Sequence, residues 1–473
     1  MLTAVVRVLT QEADAEKAIP MQASIRFFNF PVFLQIKTPQ LHLVKYIVPT
    51  LVILLIFSAC NKHPKKIVDA QFIDSTIAHY TLPPAVKANE EDLNFWKNRI
   101  NPALPGMVDE AKYAASLMRR YRLLGDINDA ATADSILRKT DTVFNHKEAS
   151  ILLSLSGYSI LRHRFKDADD YFQKAKAAGL KRYESLVGSF DVDFELGRYA
   201  NAGIALRNLS SAADYGYYFR KSKMEHLKGS LDSAIASMLK AASLADNADY
   251  LKQAALSNAA DLCIHAGDLQ KANDLYLECI RINPADFHSI TGMGWIALVH
   301  DNNDSLAERV FHFVNTHTRL PDPLFKLAQV AGQRHDSIAQ TMYARQFESL
   351  ATNAVYGNMY HKYLIELYTG ILHEPGKALK LAEKELETRA TPQTYTWYAY
   401  CLAKNGNKDQ AYRIFNEHVS GQALEAGELY QMGVLMVVLG KNYNARAFFK
   451  AAYENKYDLS PEIVNDLRIR LEK

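Results

Sequence analysis

Leu256–Pro284 reads LSNAADLCIHAGDLQKANDLYLECIRINP. Small and apolar residues recur at three- and four-residue steps on both sides of Gly267-Asp268: Leu256, Ala259, Ala260 and Cys263 before it, Ala272, Tyr276 and Cys279 after it. That spacing puts one apolar stripe on each of two helices joined by a glycine turn. Asn283-Pro284 then opens the next helix, where the missing proline N–H costs nothing.

The second-helix pattern, an alanine, an aromatic four residues on and a small residue three further, returns along the chain. Close copies are Ala168-Phe172-Ala175, Ala307-Phe311-Val314, Ala411-Phe415-His418 and Ala445-Phe449-Ala452. Looser ones are Ala202-Leu206-Leu209, Ala234-Met238-Ala241, Ala339-Tyr343-Gln346, Ala378-Ala382-Glu385 and Ala130-Asp134-Leu137. The ten anchor alanines lie 32 to 39 residues apart, with a mean of 35. Six have glycine five residues upstream, at 125, 197, 229, 267, 406 and 440. Glycine suits a turn that needs positive φ, and alanine suits the closest approach of two helix backbones.

This pattern resembles the tetratricopeptide repeat, whose period is about 34. The resemblance implies an all-α fold: an α-solenoid, wound as a right-handed superhelix, of about ten helix-turn-helix units over residues 109–456. No unit buries its apolar face alone, so neighbours must stack into one continuous core. Residues 457–473 fit a capping helix, with Ile463, Leu467 and Leu471 on one face after Ser460-Pro461. Residues 60–108 fit a tether followed by an amino-terminal cover of the stack.

The longest apolar run, Tyr46–Ala59 (YIVPTLVILLIFSA), follows Lys45 and precedes Cys60. Its 14 residues fall short of the ~20 that a spanning helix needs. A cation, a short apolar run and small residues before a cysteine resemble a bacterial lipoprotein signal, here residues 41–59. That resemblance implies lipidation of Cys60 and anchorage in the cell envelope; a short uncleaved anchor is the alternative. Phe57 stands where the family expects leucine. In such lipoproteins an acidic stretch after the cysteine resembles a surface-export signal. Here Lys62, Lys65 and Lys66 make it basic, which points to the outer membrane, facing the periplasm. Residues 1–40 are expected to be an unstructured extension upstream of the true start, near Met21 or around Leu41–Val44.

Composition excludes several classes. With 55 Lys+Arg against 52 Asp+Glu, the chain is no polybasic nucleic-acid binder. Its 48% apolar and 11% aromatic content excludes wholesale disorder, and four Cys in 473 residues are no disulfide framework. There is no HExxH, GxSxG, phosphate-cradling glycine loop or CxxC, so no enzymatic activity and no cofactor are expected. Asp301–Ser305 lacks the Gly and Glu of a calcium loop and reads as a polar turn; the fifteen His show no metal-ligand spacing. Cys263 and Cys279 fall on facing helices of one unit, as buried thiols or a disulfide.

In the tetratricopeptide family, first helices line a concave groove where ligands lie. Projecting each unit's phase puts Tyr360, Tyr363, Leu367, Tyr400, Tyr430 and Val434 on that groove, with Lys112, Arg119, Arg122, Glu184, Asp191 and Glu195 in the amino half. The Lys and Asn clamp of chaperone-binding members is not reproduced. Tyrosines give contact area at low entropic cost and one polar handle each, and several can equally pack between helices. The expected function is a membrane-anchored, non-catalytic scaffold holding a protein or peptide partner in the groove. The alternative is a glycan-binding lipoprotein of an outer-membrane uptake system, since starch-uptake lipoproteins contain such repeats. Those carry long irregular insertions, whereas these units have almost no spare residues.

Overall fold

A computed structural model of the chain describes residues 65–472, apart from 104–105 and 246–247. The 41–59 signal, Cys60 and the 1–40 extension lie outside the described residues. One compact unit takes in the described residues from Ile67 onward. Among the described residues the secondary structure is helical, without strands, and no helix is long and apolar enough to cross a membrane.

Two helices, α1 (Ala70–Ala78) and α2 (Pro84–Arg99), precede ten helix pairs. The first five pairs are α3 (Met107–Leu124) with α4 (Ile127–Val143), α5 (Ala149–Leu161) with α6 (Phe165–Ala178), α7 (Arg182–Glu195) with α8 (Tyr199–Leu209), α9 (Tyr215–Leu227) with α10 (Leu231–Ser243), and α11 (Asp249–Ala266) with α12 (Leu269–Ile282). The second five are α13 (Phe287–Val299) with α14 (Asp304–His317), α15 (Asp322–Gln333) with α16 (Ser337–Ala351), α17 (His361–Thr369) with α18 (Pro375–Thr388), α19 (Pro392–Lys404) with α20 (Lys408–Ile414), and α21 (Ala426–Val438) with α22 (Asn442–Glu454). A last helix, α23 (Pro461–Glu472), buries Leu467.

The turn within each pair explains the six glycines. All six have positive φ, between 71° and 85°. The four pairs without glycine put another residue into the same left-handed turn: His163 (φ 51°), Asn302 (49°), His335 (57°) and His373 (51°). Three of these lie five residues before the expected anchors Ala168, Ala307 and Ala378. His335 instead lies five before Gln340, and α16 buries Ala344, Phe347 and Ala351. The stripe of pair seven therefore starts at 340, and Ala339-Tyr343-Gln346 is one residue out of phase. Left-handed backbone costs a side-chain-bearing residue about 1–2 kcal/mol. His335 is exposed, so His335→Gly is expected to stabilise the fold by about 0.5–1 kcal/mol, read as a higher denaturation midpoint.

Between pairs, the second-helix aromatic seats where the next first helix has no side chain. A Cβ at Gly188 would sit 2.3 Å from the Phe172 ring, and one at Gly292 would sit 2.4 Å from Tyr276. Both aromatics are fully buried, so the glycines fix how closely consecutive pairs stack.

The array also folds back on itself. The segment before α1 donates its Ile67 and Val68 amides to the Asp301 carboxylate, each at 2.9 Å, and Arg309 pairs with Asp74. The link after pair six rests on the turn of pair one: Arg319 reaches Asp126 at 2.7 Å, and Leu320 covers Gly125. The loop after pair seven rests on pair two, where Arg162 Nε donates to Val355 O at 2.9 Å. The link after pair eight meets pair three, with Thr391 against Gly197. Finally, Trp295 Nε1 of pair six donates to Tyr457 O at 2.8 Å, beyond pair ten. Second-half links thus seat in order on pairs about five places earlier.

Candidate ligand cavities on the inner helix faces

Because the coil closes, the inner faces of the first helices meet the chain itself, and the space between them is divided into cavities. One cavity of about 360 Å³ takes in Leu367, Tyr400 and Tyr430 together with Glu366, Gln329 and Gln431. Another, of about 280 Å³, takes in Tyr360 and Tyr363 with Asp322 and Trp397. Val434, placed on the groove by phase, is 9% exposed and lines neither of these two cavities.

The tyrosines do double duty. Tyr360 is buried and its hydroxyl donates to Asp322 at 2.6 Å, while Tyr430 donates to Asp466 of the capping helix at 2.8 Å. Tyr363 packs on Phe325, ring centres 4.9 Å apart. Leu367 and Tyr400 are nearly covered. In the first of these cavities, Gln329 Oε1 and Gln431 Oε1 are covered and have no hydrogen-bond partner. Burial lifts the Glu366 carboxyl to about 7, against the opposing charges of Lys362 and Lys326. Lys326 sits 3.5 Å over the Trp295 ring, and burial lowers its ammonium to about 8.

Of the amino-half candidates, Glu195 lines a third cavity of about 310 Å³. Asp191 is bound to Arg220 and Arg119 to Asp92, while Glu184 caps the start of α7 by accepting from the Lys181 amide. Across the third cavity, pairs three to five face the end of the array. Glu195 pairs with Lys223 at 2.9 Å, and Arg389 lies 4.0 Å away. His265 bonds Asp458 at 2.8 Å and stacks on His226, centroids 5.1 Å apart. Burial opposes a charge on His265, but Asp458 outweighs it and holds the ring up at about 8; on His226 burial prevails and the pKa falls. Lys362 bridges Glu425 at 3.3 Å and Glu428 at 3.4 Å, and its charge holds Glu425 down at about 2.

Apart from Glu195, these charges went unread in the sequence. Lys223, His226, His265 and Glu428 are on first helices, but only the fold-back brings them together. Elsewhere, Asp301 of the polar turn is an anchor for the amino end, bonded to His300 at 2.8 Å. Cys263, Cys279 and Cys401 are free buried thiols, pushed by burial to about 11, 12 and 12. Among the described residues no three His, Cys, Asp or Glu are grouped to hold a metal.

No family model matches the sequence, and no curated protein matches it either. Solved structures are similar at low identity. The human IFIT1 dimer with m7Gppp-AAAA is 13% identical, over 82% of this chain and 95% of that one, with a TM-score of 0.43. A tetratricopeptide repeat protein from Parabacteroides merdae is 15% identical, over 55% and 99%, TM-score 0.32. Yeast Tom70 is 13% identical, over 76% and 96%, TM-score 0.30. The packing carries the assignment: turns at a fixed offset from buried anchors, and aromatics seated on the glycines of the following pair, make this chain an α-solenoid of tetratricopeptide-type repeats.

Proposed function

We propose that the chain is a membrane-anchored, non-catalytic scaffold, lipidated at Cys60, that holds a protein or peptide partner on the inner faces of its repeats. The observation carrying this is the cavity around Leu367, Tyr400 and Tyr430. It combines apolar walls with two covered glutamine oxygens that have no partner, a surface suited to backbone or side-chain donors. The apolar run before Cys60 and the basic residues after it support attachment to the outer membrane, facing the periplasm. The same glutamine oxygens beside Tyr400 and Tyr430 would also accept sugar hydroxyls, which supports the glycan reading as the second.

Crosslinking pull-down of the lipidated full chain from membranes tests the assignment, with Gln329→Ala and Gln431→Lys alongside. Each variant is expected to lose at least about tenfold of the recovered partner, the loss typical of a central contact, while keeping its melting temperature within a few degrees. Full recovery in both variants would overturn the placement of the partner. Competition by soluble glycans in the same assay would favour the second reading.

A further inference from the structure

At the cavity between pairs three to five and the end of the array, two carboxylates share one cation. Lys362 lies 3.3 Å from Glu425 and 3.4 Å from Glu428, whereas Glu195 has Lys223 and Arg389 within 4.0 Å and Asp458 has His265. Glu428 is the deeper of the two that share. It is 1% exposed, and its Oε1 accepts from Gln393 Nε2 and Trp397 Nε1, both at 3.0 Å, with Lys362 Nζ 3.4 Å away. Its Oε2 is covered and has no partner. A bare carboxylate oxygen at such depth is costly unless something charged or hydrogen-bonding meets it.

The walls fit an aliphatic chain carrying that charge. Phe194, Leu227, Leu231 and Leu424 line the same cavity of about 310 Å³ as Glu428. Glu425 keeps 44% of its side-chain surface exposed, so the cavity reaches solvent. An anion would find every cation already paired, Lys362 with two carboxylates at once. We propose that this cavity is a binding site for an alkyl-ammonium or guanidinium group, with Glu428 Oε2 as the acceptor and the leucines and Phe194 around the methylene stem. The site does not depend on which partner the scaffold holds. A free amine and a lysine side chain of a bound polypeptide share the chemistry.

The test is calorimetric titration of the detergent-solubilised full chain with n-pentylamine, n-pentanol and a five-residue peptide with blocked ends and one central lysine. A ligand of n-pentylamine's size is expected to bind at roughly millimolar affinity, at least about tenfold better than the alcohol of the same shape. Glu428→Gln retains an acceptor for Gln393 and Trp397 and is expected to lower amine affinity about tenfold or more. Equal binding of amine and alcohol, or no binding of any probe, would overturn the site. The wild-type comparison decides this even if Glu428→Gln does not fold. A peptide binding over about tenfold tighter than the amine assigns the site to a polypeptide side chain, and no such gain assigns it to a free amine.

Discussion

Gly357→Ala is expected to destabilise the fold by about 3 kcal/mol or more, from two causes acting together. The residue has φ 63° and ψ −127°, a conformation that side-chain-bearing residues rarely adopt. Its Cβ would also stand 2.6 Å from the carbonyl oxygen of Arg162, on another coil. That oxygen is main chain and cannot swing away as a side chain could. Arg162 is itself held by its bond to Val355 O and by Asp134 at 3.3 Å. Alanine would therefore push the loop after pair seven off pair two. Gly421→Ala is the control: its φ is 78°, but nothing lies within 4 Å of the added carbon, so a loss of only about 1 kcal/mol is expected. Denaturation midpoints measure both variants. Faster amide exchange in the Val355–Gly357 loop should appear in the first and not in the second.

Arg389→Ala is expected to cost about 3–5 kcal/mol, the cost of breaking a buried ion pair on one side. The guanidinium lies 3.3 Å from Glu385 and 4.0 Å from Glu195, and stacks over the Phe165 and Trp397 rings at 5.0 and 5.8 Å. Glu385 is 1% exposed and would keep only His361, at 2.8 Å. Burial works to raise the Glu385 pKa, but His361 and the Arg389 charge outweigh it, so the carboxyl titrates below its ordinary value. A lowered folded-state pKa contributes stability above the ordinary carboxylate range, and that stability disappears as the pH falls through the folded value. The difference between wild type and variant should accordingly be full near pH 7 and shrink below about pH 4.5. Adding Glu385→Gln to Arg389→Ala should recover part of the loss, because the charge left unpaired is then gone.

The repeat was legible because its signals are local. A glycine turn, an anchor alanine and an aromatic one turn on all fall within a dozen residues, and Leu256–Pro284 holds them all. Phase slipped in pair seven because Ala339 mimicked an anchor, whereas the left-handed turn at His335 sets the stripe from Gln340. The inner surface was only half legible. Periodicity brought Leu367, Tyr400 and Tyr430 to one cavity, but not Tyr360 and Tyr363, which line another. What period and phase cannot encode is the return of the coil. Arg162 meeting Val355, or Arg389 meeting Glu195, joins positions roughly two hundred residues apart through loops with no repeat pattern. The longest interval, between pairs seven and eight, includes Gly357, which lies against the Arg162 carbonyl of pair two.

The Asp301 carboxylate that holds the Ile67 and Val68 amides has a mechanical consequence. In an open array, tension on the amino end would peel the terminal helices one after another. Here a pull on the chain ahead of Ile67 is delivered first to pair six, loading two parallel hydrogen bonds together, with the Arg309–Asp74 pair close behind. The load enters the stack in its middle, where neighbours brace it on both sides.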